Sequence, residues 1–276
     1  MSSWKPFKQQ IRKKPIPKKL VIHKPIYFLH IMKCGGTSID SLMNNLVRQG
    51  KIKRYIGNQH YDYSYIASKG IPRVNIEFIT ILRNPVSRAV SNFYFSKTGK
   101  WTKDFIMRKQ TFSEYIRDEK SMKQYRAAIR DGEGGYNWLA GVHPGVSWVL
   151  TDKKNRKKKD QLLKNKKECL LIAARNLDKT LWFGLLEDIP RSMELLKHTF
   201  KLKTIPKLPR RNKNNYPKLP KEDIKLVEKH LEGDIWLYNY AKLLFEARWN
   251  YYKNKIYVHP ELPGITITYN KAVIGI

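Results

Sequence analysis

The 276-residue chain has little cysteine, and it lacks any long apolar run. Two cysteines cannot build a disulfide scaffold or the four-thiolate site of a structural zinc, so the sequence favours a reducing compartment. No segment of about 18 apolar residues occurs, and the stretch from Met1 to Leu20 lacks the apolar region of a secretory signal. These absences predict a soluble, cytoplasmic protein with no membrane span.

Apolar and aromatic residues are plentiful, which excludes disorder over the whole chain. Hydrophobic residues make up 41% and aromatic residues 12%, whereas disordered chains are poor in both. The length suits one α/β domain with a full core. We expect a basic flexible leader at 1–24, a single domain at 25–252, and a C-terminal tail at 253–276 that forms a short strand or hairpin.

Acidic residues are also scarce, since 23 Asp and Glu stand against 55 Lys and Arg, a formal net charge of +32. Residues 5–24 hold eight basic and no acidic side chains; residues 152–167, a predicted basic insertion or loop, hold nine basic and two acidic ones. Such charge attracts anions, whether nucleic acid, phosphorylated cofactor or acidic glycan. Charge runs are equally typical of solvated, disordered segments.

A strand, a glycine-containing loop and a helix follow one another near the start of the domain. The apolar run 25–31 predicts a buried strand, and residues 32–36 form the loop. Apolar residues at helical spacing between 39 and 47 then predict an amphipathic helix, capped by Thr37 or Ser38.

The same plan recurs twice further along. Residues 75–82 predict a strand, and Asn84 and Pro85 then suit the N-cap and first position of a helix. Residues 181–186 predict a third core strand, followed by a helix that begins after Asp188. This alternation favours an α/β fold in which a central parallel sheet is flanked by helices on both faces.

The C-terminal third combines a loop, a helix and a tail. Residues 206–220 hold four prolines and three asparagines, which predicts an irregular loop. Residues 234–249 are apolar nearly all round and predict a helix buried on most sides. The tail from Ile256 alternates around Pro-Gly, which predicts a strand or hairpin whose partner is open.

The first loop has the composition of an anion site. Glycines allow backbone amides to approach phosphate oxygens, and the first N–H groups of a helix lack intrahelical partners. Lys33 adds a full charge, but it precedes both glycines, whereas the nucleoside-triphosphate P-loop has its lysine after the second glycine. A Walker-type ATPase or kinase is therefore disfavoured. Gly-Gly-Thr-Ser is also an ordinary way to turn and cap a helix, and that alternative stays open.

Two segments resemble a known family. Residues 28–39, FLHIMKCGGTSI, resemble the opening motif of sulfotransferases that use 3′-phosphoadenosine-5′-phosphosulfate (PAPS), in the branch typified by glycan 2-O-sulfotransferases, sulfotransferase family 2. Residues 81–95, ILRNPVSRAVSNFYF, are similar to that family's second motif. Weaker similarities continue at 181–187, 212–214 and 234–241. The resemblance covers roughly Pro25 to Trp249 and implies a single P-loop-like α/β domain.

The resemblance also implies a cofactor and its ligands. PAPS would be the donor, adenosine 3′,5′-bisphosphate the product, and no metal would be required. Lys33 would stabilise the leaving 5′-phosphate, while Arg83 and Ser91 would hold the 3′-phosphate. The full set of predicted cofactor-binding residues is Lys33, Cys34, Gly35, Gly36, Thr37, Ser38, Arg83, Ser91, Arg211 and Lys213.

Two side chains of the predicted site have open alternatives. In the sequence, His60 lies between the two motifs, where the 2-O-sulfotransferase type carries its catalytic histidine. A neutral imidazole suits removal of the acceptor proton. Asp62 is the next candidate for the base, whereas His30 is expected to be structural. Cys34 stands where the family commonly has Thr. A thiol near a helix N-terminus would have a lowered pKa, although sulfuryl transfer needs no thiol nucleophile.

Two functions of different classes follow. The leading one is a PAPS-dependent O-sulfotransferase that acts on a hydroxyl of a glycan or polar small molecule, and the basic surplus favours an acidic acceptor. The alternative is a basic nucleic-acid-binding protein, although the sequence has no zinc-finger spacing, RNP-type aromatic motif or basic-region heptad. Neither the acceptor's identity nor the oligomeric state follows from the sequence.

Overall fold

A central parallel sheet organises the computed structural model of the chain. The residues that the structure describes are 9–10, 24–57, 75–97, 110–118, 166–205, 208, 216–254 and 259–260. The strands among them are β1 (Gln9–Gln10), β2 (Ile26–Leu29), β3 (Tyr55–Ile56), β4 (Glu77–Leu82), β5 (Trp182–Leu185) and β6 (His259–Pro260). The helices are α1 (Gly36–Arg48), α2 (Pro85–Lys97), α3 (Phe112–Arg117), α4 (Lys166–Asp178), α5 (Ile189–Thr199), α6 (Lys221–His230) and α7 (Glu232–Asn254), with a 3₁₀ turn at Leu186–Asp188.

The main sheet has four parallel strands in the order β3-β2-β4-β5. All four residues of β2 are at most 1% exposed. Because successive side chains of a strand point to opposite faces, this burial means that both faces of the sheet are covered. The predicted α/β fold with a central parallel sheet is confirmed, and each of the three predicted strands is two or three residues shorter in the structure than its predicted range.

The start of α1 differs from the prediction. Gly35 is the N-cap residue, with φ +81°, and makes no side-chain cap. The helix begins at Gly36, so Thr37 and Ser38 lie inside its first turn and neither caps it. The cap prediction was wrong because Gly35, in the left-handed conformation, turns the chain two residues before Thr37 and three before Ser38.

The starts of α2 and α5 agree with the prediction. Asn84 Oδ1 accepts the Ser87 N–H at 3.1 Å, and Pro85 is the first residue of α2. Asp188 Oδ1 accepts the Arg191 N–H at 3.2 Å at the start of α5. Both side chains satisfy N–H groups that have no partner within the helix.

Two hydrophobic clusters hold the elements together. The larger contains the sheet with α1, α4, α5 and α7. The smaller joins α2, α3 and α6, and Phe93 lies at its centre with ring centroids 5.3 Å from Phe112 and 5.0 Å from Tyr115. A buried ion pair between Arg88 and Asp234, 3.0 Å apart, connects α2 to α7.

The two ends of the described chain meet. β1 pairs antiparallel with β6, in the register Gln9 to Pro260 and Gln10 to His259, so a segment of the leader is the partner of the tail strand. α4 begins at Lys166, which places the last two residues of the predicted insertion 152–167 in a helix. None of the described helices is both long and apolar enough to cross a membrane.

Candidate active site

The loops that carry the candidate site lie where parallel strands end. The loop after β2 carries Lys33, the turn after β4 carries Arg83, and the turn after β5 carries Glu187. Because the strands are parallel, their carboxyl ends meet at one edge of the sheet, which is where α/β proteins bind ligands. The fold therefore brings the two sequence motifs to the same edge of the sheet.

The first loop holds two residues with positive φ: Lys33 at +63° and Gly35 at +81°. A non-glycine residue in this region is uncommon. The Arg83 guanidinium donates from Nη1 to the Lys33 carbonyl oxygen at 3.1 Å, which holds the peptide of the unusual residue in place. The two motifs are thus in direct contact.

Close packing requires both glycines of this loop. A Cβ added to Gly36 would lie 2.0 Å from His30 Cδ2, and one added to Gly35 would lie 2.9 Å from Leu186 Cδ1. His30 is 7% exposed and stacks on Phe28 with ring centroids 5.1 Å apart. His30 therefore supports the loop by packing beneath it, the structural role that the sequence predicted.

The first turn of α1 offers amides to an anion. Gly36 and Thr37 occupy positions whose N–H groups cannot bond within the helix. The Ser38 amide is used locally, since it donates to the Gly35 carbonyl oxygen at 3.1 Å. Thr37 is exposed and Ser38 is buried. The Gly36 and Thr37 amides and the Thr37 hydroxyl are thus the groups of this turn best placed for a ligand.

Lys33 is a partly buried cation. Its Nζ lies 3.7 Å from the centroid of the Phe95 ring, a cation–π contact with α2. Burial, and then the nearby Arg83 charge, lowers the pKa of Lys33 below its ordinary value of 10.5. The ammonium group is held without a carboxylate partner among the ion pairs of the described residues. It is therefore available to an anionic ligand.

Cys34 differs from the prediction of a lowered thiol pKa. The residue is 1% exposed, and burial raises the pKa of its thiol to about 12 despite the charges of Arg88 and Arg83. The desolvation of a thiolate here outweighs the positive end of α1. Cys34 is a buried neutral thiol at the wall of a small cavity that Arg83, Arg88 and Tyr238 also line.

The second motif presents Arg83 at the turn and Ser91 on α2. Ser91 is 4% exposed, and its Oγ lies 3.0 Å from Tyr216 Oη. The Tyr216 ring stacks on Tyr94 with centroids 5.1 Å apart. Tyr216 is not among the predicted cofactor-binding residues; the available signal was its position two residues after the 212–214 segment of the resemblance.

A third loop contributes Glu187, to which the sequence assigned no role. Its Oε1 accepts the Asn84 N–H at 2.9 Å, and its Oε2 accepts the Tyr238 hydroxyl at 2.6 Å. Burial, and then the hydrogen bond to Glu187, raises the pKa of Tyr238 above its ordinary value, which keeps this hydroxyl protonated. The available signal was that Glu187 follows the third parallel strand.

Four predicted site residues lie outside the described residues: His60, Asp62, Arg211 and Lys213. The strand β3, which runs parallel to β2, ends at Ile56, four positions before His60 in the sequence. Within the described residues, no group of three or more His, Cys, Asp or Glu side chains is placed to hold a metal ion. Those four assignments and the metal-free reaction stay predictions.

These features define a class. A parallel sheet, a glycine loop leading into a helix N-terminus, and a lysine and an arginine beside it are typical of P-loop-like α/β proteins that bind phosphorylated ligands. The chain belongs to the sulfotransferase family, whose model matches residues 22–241. The predicted membership of sulfotransferase family 2 is confirmed, and nothing found supports the nucleic-acid-binding alternative. No curated protein matches the chain in sequence.

Proposed function

We propose that the chain transfers a sulfuryl group from PAPS to a hydroxyl of a glycan or polar small molecule and releases adenosine 3′,5′-bisphosphate. The observation that carries the proposal is the contact between the two motifs: Arg83 Nη1 lies 3.1 Å from the Lys33 carbonyl oxygen. A donor with phosphates at its 5′ and 3′ ends requires two adjacent cationic sites. Family membership supports a transferase of this kind.

The residues present fit such a donor. When bound, PAPS supplies an activated sulfuryl group on its 5′-phosphate. Gly35 and Gly36 let the loop pack closely on Leu186 and His30, and the backbone amides at the start of α1 suit the 5′-phosphate end. Arg83 and Ser91 suit the 3′-phosphate, and Arg211 and Lys213 complete the proposed set.

Lys33 is the proposed stabiliser of the leaving phosphate. Transfer places additional negative charge on the 5′-phosphate, and a preorganised cation at that position lowers the barrier. Partial burial and the Phe95 ring remove water from the ammonium group, which strengthens its field at the ligand. Cys34 has no nucleophilic role in this proposal, because its thiol is neutral and buried.

His60 is the proposed base that takes the proton of the acceptor hydroxyl. It follows Ile56, the last residue of β3, by four positions in the sequence. An imidazole with a pKa near neutrality suits this proton transfer.

The acceptor is proposed to be acidic, because the net charge is +32. The proposed location is the cytoplasm, because both cysteines are free and buried.

Labelled PAPS, incubated with the chain and a panel of glycans and hydroxylated metabolites, tests the function. With the acceptor found, His60→Ala is expected to cut transfer by roughly 10²- to 10⁴-fold while it preserves the affinity for adenosine 3′,5′-bisphosphate, because a base acts on the acceptor. The acidic limb of the rate profile should disappear as well. His198→Ala on α5 is the matched control, since His198 is an exposed histidine on an element outside the site.

Two results would contradict parts of this proposal. If His60→Ala keeps the wild-type rate or the same acidic limb, the base lies elsewhere, and Asp62 is the next residue to replace. If the wild-type chain neither transfers the label nor binds adenosine 3′,5′-bisphosphate, the proposed function itself is wrong.

A further inference from the structure

The turn after β5 contacts both proposed phosphate-binding motifs. Its Leu186 side chain packs against the first motif, where a Cβ on Gly35 would come within 2.9 Å of Cδ1. Its Glu187 side chain bonds to the second motif, where Oε1 accepts the Asn84 N–H at 2.9 Å. Two adjacent residues of one turn thus contact both motifs.

The Asn84 N–H belongs to the peptide that joins Arg83 to Asn84. Whatever accepts this N–H fixes the plane of that peptide and hence the direction in which the Arg83 side chain leaves the backbone. On its other side Asn84 is fixed by its own side chain, which accepts the Ser87 N–H at 3.1 Å. Pro85 follows and has no N–H to offer. The Arg83–Asn84 peptide therefore depends on Glu187 for its polar anchor.

A residue of α7 also binds the Glu187 carboxylate. The Tyr238 hydroxyl donates to Oε2 at 2.6 Å, and both carboxylate oxygens are thus engaged by protein donors. Glu187 is an exposed residue, so its removal leaves no cavity in the core. Its contacts serve the geometry of the turn at Arg83 and not the packing of the sheet.

We propose that Glu187 is a positioning residue, which orients the Arg83–Asn84 peptide so that the guanidinium faces the 3′-phosphate of the nucleotide, with Tyr238 holding its carboxylate. This inference rests on the proposed function. It assigns Glu187 no direct contact with donor or acceptor. Its effect is confined to ligands that carry a 3′-phosphate.

Calorimetric titration of the full chain with adenosine 3′,5′-bisphosphate and with adenosine 5′-phosphate tests the inference. Glu187→Ala is expected to lower the affinity for the bisphosphate by about tenfold or more, the usual contribution of a charge-assisted hydrogen bond. The affinity for the monophosphate should change by less than about threefold. Glu187→Gln should restore most of the affinity, because its amide oxygen can still accept the Asn84 N–H. Tyr238→Phe should give a smaller loss with the same selectivity.

Glu228→Ala is the matched control, since Glu228 is an exposed glutamate on α6 and should leave both affinities unchanged. If Glu187→Ala weakens the binding of both nucleotides equally, or changes the binding of neither, the positioning role is overturned. Loss of transfer in Glu187→Gln with unchanged bisphosphate affinity would overturn it too, since that result assigns Glu187 to the chemistry. If Glu187→Ala fails to fold, Tyr238→Phe decides, and an unchanged preference for the bisphosphate in that variant overturns the inference.

The wild-type titration separates this inference from the proposed function. A wild-type chain without preference for the bisphosphate contradicts the proposed function, and the inference falls with it. A wild-type chain that prefers the bisphosphate, together with a Glu187→Ala variant that keeps the full preference, contradicts the positioning role alone.

Discussion

Lys33 combines three features in one residue: a positive φ, partial burial and a lowered pKa. Burial opposes its charge, so the charged form lowers folding stability at neutral pH. The free energy of unfolding should therefore rise as the pH increases from the lowered pKa of the folded state to the unfolded value of 10.5. The partly buried ammonium group of Lys33 thus lowers the stability of the fold, and a bound phosphate would supply an opposite charge beside it. Such a cost in stability is typical of binding sites.

A pH titration follows from the direction of this shift. A bound phosphate raises the pKa of Lys33 again, so nucleotide binding should take up a proton on the alkaline side, and affinity should fall as the pH rises through the lowered pKa. Lys33→Arg keeps the charge at every accessible pH and should remove this alkaline fall. The measurement is the affinity for adenosine 3′,5′-bisphosphate against pH, with Lys225→Arg on α6 as the control.

The same position has a kinetic consequence. Lys33→Ala should leave the fold intact and lower turnover by roughly 10²- to 10³-fold, the usual loss when one transition-state donor is removed. A Lys33→Ala variant with near-wild-type turnover would show that the leaving phosphate is stabilised elsewhere. An alkaline fall that persists in Lys33→Arg would assign the titration to another group.

At the scale of elements, the helix of the second motif is anchored to α7. The side chains of Arg88 and Asp234 are 9% and 4% exposed and lie 3.0 Å apart. Removal of one partner would leave a buried charge without its main counterion, which costs about 3 to 5 kcal/mol. The ion pair therefore fixes where α2 carries Ser91, although neither charged residue belongs to the proposed ligand set.

Urea unfolding measures this contribution. Arg88→Ala is expected to lower the free energy of unfolding by about 3 to 5 kcal/mol, and the double variant Arg88→Met with Asp234→Leu should lose less than Arg88→Ala alone. Lys24→Ala is the control: Lys24 pairs with Glu77 at 3.4 Å on the surface, and its loss should cost less than about 1 kcal/mol. If Arg88→Ala costs no more than Lys24→Ala, the buried pair does not anchor the helix.

Local chemistry explains which elements were predictable. The caps of Asn84 and Asp188 act three residues away along the chain, so the sequence reveals them directly. The cap at Gly35 was missed, because its positive φ comes from the strand-to-helix turn and not from a side chain. The lowered thiol pKa expected for Cys34 was wrong, because burial under the loop depends on the packing of the whole domain.

At the scale of the whole molecule, parallel topology explains which parts of the site were predictable. Strand, loop and helix units predict a parallel sheet, and a parallel sheet brings the ends of β2 and β4 to one edge. Residues from distant segments were not predicted: Glu187 contacts Asn84 across 103 residues, and Tyr216 contacts Ser91 across 125. Their positions follow only from the completed fold.

The net charge of +32 belongs to this scale as well, and it does not select a ligand by itself. The electrostatic field of the whole chain attracts every polyanion. The site is more specific, because it holds Lys33 and Arg83 side by side, with Arg83 Nη1 3.1 Å from the Lys33 carbonyl oxygen. Selectivity for a nucleotide with a 3′-phosphate is therefore the property that distinguishes a sulfotransferase site from a merely basic surface.

The most direct test is calorimetric titration of the wild-type chain and of Arg83→Ala with adenosine 3′,5′-bisphosphate and adenosine 5′-phosphate. If Arg83 holds the 3′-phosphate, the wild type binds the bisphosphate about tenfold to a hundredfold more tightly than the monophosphate, and Arg83→Ala loses this preference while it keeps its affinity for the monophosphate. Equal affinity of the wild type for the two nucleotides, or no binding of either, would contradict a PAPS site at this sheet edge.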